Sequence, residues 1–143
     1  MTQISLPSAL GTVLPRPLPA DPSGRLALIA IRRIGAHGLD DAATAHAFLT
    51  AFGQQYRRPL TLMRGFMAEV AATAGGPVAI APCCCPRATA DEATLLAVLG
   101  QALTRPDTAL LLLSDLLGTR RPDTVLSSAR AVGAAFADLG QPL

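Results

Sequence analysis

"TADEATLLAVLGQALT", residues 89–104, decides the fold, because it contains the clearest helix-start signal in the chain. Thr89 and Glu92 have the spacing of a capping box, in which each side chain binds the other residue's backbone N–H. Asp91 adds a negative charge to the first turn, where the helix dipole favours it. Apolar residues then recur until Pro106, so this stretch predicts a helix that begins next to Thr89.

Similar signals on both sides predict further helices. "RPDT" occurs at 105–108 and again at 121–124, and proline with aspartate beside it is a common helix start. An apolar run at helical spacing follows each copy. Three upstream segments also read as helices: "RLALIAIRRIG" (25–35, ended by Gly35 and Gly38), "DDAATAHAFLTAFG" (40–53, capped by Asp40 or Asp41) and "YRRPLTLMRGFMAEVAATAGG" (56–76, with Pro59 in the first helical position). Together they predict an all-α bundle of five or six helices.

One alternative fold stays open at this stage. The short apolar segments 26–31, 78–81 and 109–113 fit buried strands as well as helices, because periodicity cannot separate the two in short runs. An α/β fold with two or three strands is therefore the rival prediction. In the all-α prediction, "PVAIAPCCCPR" (77–87) is a short extended crossing between helices.

Length and composition predict the domain organisation. The chain has 143 residues, which suits one domain, and prolines crowd its beginning. We expect an extended or disordered arm over 1–24 and a helical domain over 25–143. Apolar residues make up 50% of the chain and charged residues 15%, which leaves little charge to cover the surface. We therefore expect a homo-oligomer, most simply a dimer.

The charge pattern narrows the partner classes. The chain has twelve arginines, no lysine, a net charge of +2 and few aromatic residues, so we expect no nucleic-acid partner and leave a protein partner open. The arginine pairs 32–33, 57–58 and 120–121 are interpreted as helix-end or surface charge. The sequence has no apolar run of the ~20 residues that span a bilayer and no targeting segment. We expect a cytoplasmic protein without a membrane partner.

All three cysteines of the chain are consecutive, at positions 83 to 85. Pro82 and Pro86 restrict the residues before them, so the triplet is held either extended or in a turn. In a reducing cytoplasm, clustered cysteines are thiols or metal ligands. Arg87 and the beginning of the helix at Thr89 are positive neighbours that favour a thiolate.

Two interpretations of the triplet compete. In the first, Cys83, Cys84 and Cys85 form a thiol cluster that holds a soft metal or responds to oxidants. Zinc or copper would be the metal, with His37 and His46 as further ligands, although the paired spacing of zinc sites is absent. In the second, the protein is a helical interaction domain and the cysteines are only core packing, which requires all three sulfurs to be buried.

An enzyme is the less favoured prediction. The sequence has no phosphate-binding loop and no catalytic motif of a known class. A cysteine nucleophile would need His37 or His46 within hydrogen-bond reach of a sulfur.

Residues 28–96 resemble an uncharacterised family of small alphaproteobacterial proteins, a domain of unknown function. The likeness lies in "IRRIGAHGLDDAATAHAFLTAFG", "YRRPLTLMRGFMAEV" and "APCCCPRATADEATLL". "APCCCPR" is the most distinctive motif. The resemblance implies a compact bacterial cytoplasmic domain and no particular activity.

Overall fold

The fold is known from a computed structural model that describes residues 16–143. The part of the expected N-terminal arm that covers residues 1–15 lies outside the described residues. Within residues 16–143 the chain forms six α-helices and one pair of two-residue strands, so the all-α prediction is confirmed. The helices are α1 (Pro22–His37), α2 (Ala42–Phe52), α3 (Arg57–Thr73), α4 (Ala90–Gln101), α5 (Pro106–Leu117) and α6 (Asp123–Asp138).

The α/β alternative is wrong. Residues 26–31 lie in α1 and residues 109–113 lie in α5, while residues 78–81 belong to no strand and no helix. The sheet of the described chain consists of β1 (Arg16–Pro17) and β2 (Arg87–Ala88), which pair antiparallel. The short apolar runs form helices because each continues into a longer segment with an apolar face.

The helices begin and end near the predicted capping, proline and glycine residues, with differences of a few positions at two helices. The capping box is present at α4: Thr89 accepts from the backbone N–H of Glu92, and the Glu92 side chain accepts from the backbone N–H of Thr89. Pro106 is the first residue of α5, as expected. Gly35 lies inside α1, which ends instead at Gly38, where φ is +98° and glycine is favoured. Pro59 is the third residue of α3, which begins at Arg57.

The core joins all six helices. The α3 and α6 helices pack along each other, α4 packs against α5, and α1 packs against α2 and α3. Within the core, Phe136 contacts Phe48 at 5.9 Å and Phe52 at 5.1 Å between ring centroids, edge to face. No helix within residues 16–143 has the length and apolar composition that crossing a membrane requires.

Asp41 links the beginning of α2 to α1. Its carboxylate accepts from the backbone N–H of Thr44, which caps α2, and from Arg33 of α1 through two bonds of 3.0 Å. These contacts, first of all the hydrogen bond from Arg33, hold the pKa of Asp41 well below its usual range. The folded state therefore favours the charged carboxylate, and the stability from Asp41 is complete above the pKa of the unfolded chain.

We predict that Asp41→Asn flattens the loss of stability in acid. Asparagine keeps the helix cap but cannot pair with Arg33, so the variant should be less stable at pH 7. Its free energy of unfolding should also fall less steeply as the pH drops below about 4, the usual aspartate pKa. Urea unfolding at a series of pH values measures this dependence, with the exposed neighbour Asp40→Asn as the control. The prediction would be contradicted if the free energy of unfolding fell equally steeply with decreasing pH in the wild type and in Asp41→Asn.

Candidate functional site

The cysteine triplet lies in a tight turn between the segment 77–82, which has no regular secondary structure, and β2. The backbone N–H of Cys85 donates to the carbonyl oxygen of Pro82 at 3.0 Å, which places Cys83 and Cys84 at the two central positions of the turn. Of the two conformations that the flanking prolines allow, the turn is therefore the one adopted. In an extended strand, side chains point alternately to opposite faces, so Cys83 and Cys85 would share one face. This alternation does not hold in a turn.

The cysteines differ in exposure. Cys83 and Cys84 are exposed, Cys85 is half-buried, and all three are free. The core-packing interpretation requires three buried sulfurs, so it is wrong for Cys83 and Cys84. Prolines on both sides explain the exposure, because they keep the turn out of the helical core.

A buried ion pair lies beneath the turn. Arg32 Nε donates to Glu92 Oε2 at 2.8 Å, and Arg32 Nη2 donates to Glu92 Oε1 at 3.1 Å. The two side chains are only 3% and 0% exposed. The interpretation of the pair Arg32–Arg33 as helix-end or surface charge is therefore wrong for Arg32, which lies inside α1. Burial is tolerated because the two charges meet in a two-bond geometry.

The same two side chains bind the backbone on both sides of the turn. Arg32 donates from Nη1 to the carbonyl oxygen of Cys85 at 2.9 Å and from Nη2 to that of Arg87 at 2.8 Å. Glu92 accepts from the backbone N–H of Ala81 at 3.1 Å and from that of Thr89 at 2.9 Å. The hydrogen bond with Glu92 is the main cause of a raised pKa at Arg32, so the guanidinium stays charged. The turn is thus fixed to α1 and α4 by charge-assisted hydrogen bonds.

Cys83 lies beside two guanidinium groups. The pKa of Arg33 is raised mainly by its hydrogen bond to Asp41 and to a smaller extent by Cys83. The pKa of Arg32 is raised first by Glu92 and to a smaller extent by Cys85 and then Cys83. Cys83 lines a cleft over α1 that both arginines line as well. The two guanidinium groups beside Cys83 therefore come from α1, which sequence reasoning did not foresee.

The other predicted site residues occupy different places. His37 is the last residue of α1 and lines a cleft of about 520 Å³ that Cys83 also lines. His46 is exposed on α2 and lines neither of the clefts that Cys83 borders. Arg87 lies on β2 with an exposed side chain, and its carbonyl oxygen binds Arg32. No histidine ring is hydrogen-bonded to a cysteine sulfur in the described part of the chain.

The sequence analysis did not predict that Arg32 anchors the turn. For Glu92 it predicted the helix cap but not the contacts with Arg32 and Ala81. A signal for Arg32 existed, because it follows the buried Leu28 by four residues and so shares a face of α1 with it. Glu92 was identified from its capping box, which explains one of its contacts. Nothing in the spacing indicated that the two residues, sixty positions apart, would meet.

The fold and the site define a class: a small all-α protein that presents two exposed thiols on a turn anchored by a buried ion pair. Residues 7–139 match the model of the family of unknown function DUF6628, so the chain belongs to this family. The match extends beyond the segment 28–96 in which the resemblance was found. No curated protein and no solved structure matches the chain.

We predict that Arg32→Met lowers the free energy of unfolding by about 3–5 kcal/mol, because Glu92 is left buried without its partner charge. The control is Arg58→Met, which removes the exposed pair of Arg58 with Asp138 and should cost at most about 1 kcal/mol. Urea unfolding measures both values.

The double variant Arg32→Met/Glu92→Gln tests the coupling. It should lose less stability than the sum of its two single variants, because neither charge is then buried alone. A loss in Arg32→Met no larger than that in Arg58→Met would show that the buried pair does not support the fold.

Proposed function

We propose that the protein is a thiol-based sensing module whose reactive groups are Cys83 and Cys84. The observation that carries the proposal is the exposure of both cysteines on a turn whose backbone is anchored from below. A sensor thiol must be reachable by its oxidant, and redox-sensing cysteines often lie next to a second cysteine that completes the reaction.

Cys83 is the proposed site of first attack. Cys83 is exposed and lines a cleft that the guanidinium groups of Arg32 and Arg33 also line, so these groups are positive neighbours of the proposed point of attack. Arg87 and the beginning of α4, which follow the turn in sequence, are proposed as further positive neighbours. Cys85 is half-buried, and its carbonyl oxygen is bound by Arg32, which favours an anchoring role for it.

The proposed chemistry uses a hydroperoxide as the oxidant. The Cys83 thiolate attacks one peroxide oxygen, so an S–O bond forms, the O–O bond breaks, and the leaving oxyanion takes a proton from water. The Cys84 thiol then attacks the sulfur of the Cys83 sulfenic acid, which forms an S–S bond and releases water. The product is a disulfide between adjacent residues, and a cellular thiol would reduce it again by exchange.

Soft-metal binding is the second candidate function. Among residues 16–143, no three His, Cys, Asp or Glu side chains are grouped so that they could hold a metal ion. A zinc site would therefore need ligands from two chains, whereas Cu(I) accepts two thiolates. The exposure of two adjacent thiols and the cleft that His37 shares with Cys83 favour this candidate.

We predict that the native, reduced protein reacts quickly with iodoacetamide at Cys83. Alkylation followed by mass spectrometry under anaerobic conditions gives the rate at each cysteine, with the urea-unfolded chain as the reference. Cys83→Ser should abolish the fast phase, and Cys85→Ser should preserve it. Cysteines that react no faster in the native protein than in the unfolded chain would contradict the proposal. Stoichiometric zinc or copper in the same sample would favour the metal-binding function instead.

The proposal includes a homodimer in the cytoplasm. Large apolar side chains are exposed on several helices, and Leu111 of α5 is the most exposed of those in residues 16–143, at 72%. Association of two chains would remove such side chains from water, which is favourable.

We predict that light scattering gives about twice the chain mass, and that Leu111→Lys shifts the mass toward that of one chain. A wild-type mass of one chain at all concentrations would contradict the dimer.

A further inference from the structure

A cleft of about 560 Å³ runs along one face of α1 next to Cys83. Five of its lining residues belong to α1 and recur at helical spacing: Arg25, Leu28, Ile29, Arg32 and Arg33. Leu18 and Cys83 complete the lining. The volume lies in the range of small-molecule sites, which are mostly apolar with a few polar groups that orient the ligand.

The middle of the cleft is apolar and partly open to water. Leu28 is buried, whereas Leu18 and Ile29 are 36% and 43% exposed. They belong to the few large apolar side chains that the described chain leaves exposed. An apolar ligand segment would remove both from water, which is favourable.

The charged end of the cleft is at Arg25. Arg32 and Arg33 are paired with Glu92 and Asp41, so much of their charge is already balanced. Arg25 donates its Nε–H to the carbonyl oxygen of Pro19 at 2.9 Å, which is a neutral acceptor. None of the ion pairs found in residues 16–143 includes Arg25.

One carboxylate lies at the same end of α1. Asp21 is the N-cap of the helix, and it accepts from the side chain of Ser23 and the backbone N–H of Gly24. These hydrogen bonds, that of Ser23 first, and to a smaller extent the nearby charge of Arg25 hold the pKa of Asp21 below its usual value, so it remains charged. Its hydrogen bonds are directed to the beginning of the helix, which leaves the terminal nitrogens of Arg25 as donors for a ligand.

We infer that this cleft binds an amphipathic organic anion, with its carboxylate at Arg25 and its apolar chain over Ile29 and Leu18 toward Cys83. Arg25 precedes Arg32 by seven residues, or about 10 Å along the helix, which is comparable to an extended chain of about eight carbons. The inferred binding is argued only from the residues of the cleft and does not depend on the proposed function. Its consequence rests on the proposed function, because a bound chain would cover the reactive thiol and slow its oxidation.

The test uses sodium octanoate as the probe. In the full chain with labelled methyl groups, octanoate should shift the Leu28 and Ile29 resonances with saturation. In the same sample it should slow the alkylation of Cys83 by iodoacetamide. Arg25→Gln should raise the apparent Kd for octanoate about two- to fivefold, as expected for a solvent-exposed ion pair. Ile29→Ser should weaken binding through the lost apolar contact.

Matched controls keep the test specific. Arg130→Gln removes an exposed arginine of α6, and Leu49→Ser removes a leucine of α2 that is about as exposed as Ile29, and neither should change octanoate binding. The cation octylammonium should not bind, and 1-octanol should bind more weakly than octanoate. Equal binding of octanol and octanoate, or no methyl shifts while Cys83 reacts quickly, would overturn the inference and leave the proposed function intact. Saturable methyl shifts with an unreactive Cys83 would support the inference and overturn the proposed function.

Discussion

The buried pair of Arg32 and Glu92 is the interaction on which the rest of the site depends. A charge inside a helical core is costly unless its hydrogen-bonding capacity is satisfied, and here the two side chains satisfy each other and four backbone groups. These backbone groups belong to the segment between α3 and α4, which has no helix or long strand of its own. The pair therefore replaces the hydrogen bonds that regular secondary structure would have provided.

The position of the pair explains how a tight turn can be both exposed and fixed. Exposed loops are usually the more variable parts of a protein because few contacts hold them. In this protein the contacts come from beneath, from α1 and α4, and leave the outer side of the turn to Cys83 and Cys84. The same helix α1 supplies Arg33 next to Cys83, so one helix provides both the anchor and a guanidinium group beside an exposed thiol.

The helices could be predicted from the sequence because their signals are local. The capping box at Thr89 and the proline before α5 act within a few residues, and both were identified correctly. The strand alternative for residues 26–31 could not be excluded from the sequence, since a short apolar run has no distinctive period. The buried role of Arg32 was not predicted because it depends on a residue in another helix. A capping glutamate that also binds an arginine looks the same in sequence as one that only caps.

The hydrogen bonds from the anchor to the turn and its flanks all go to main-chain atoms: the carbonyl oxygens of Cys85 and Arg87 and the N–H groups of Ala81 and Thr89. None of these bonds uses the side chain at position 83 or 84. The geometry of the turn and the chemistry that it displays are separable properties. Selection could exchange the two thiols for other functional groups without rebuilding the scaffold, and a protein designer could use the same pair of helices to present a chosen dipeptide.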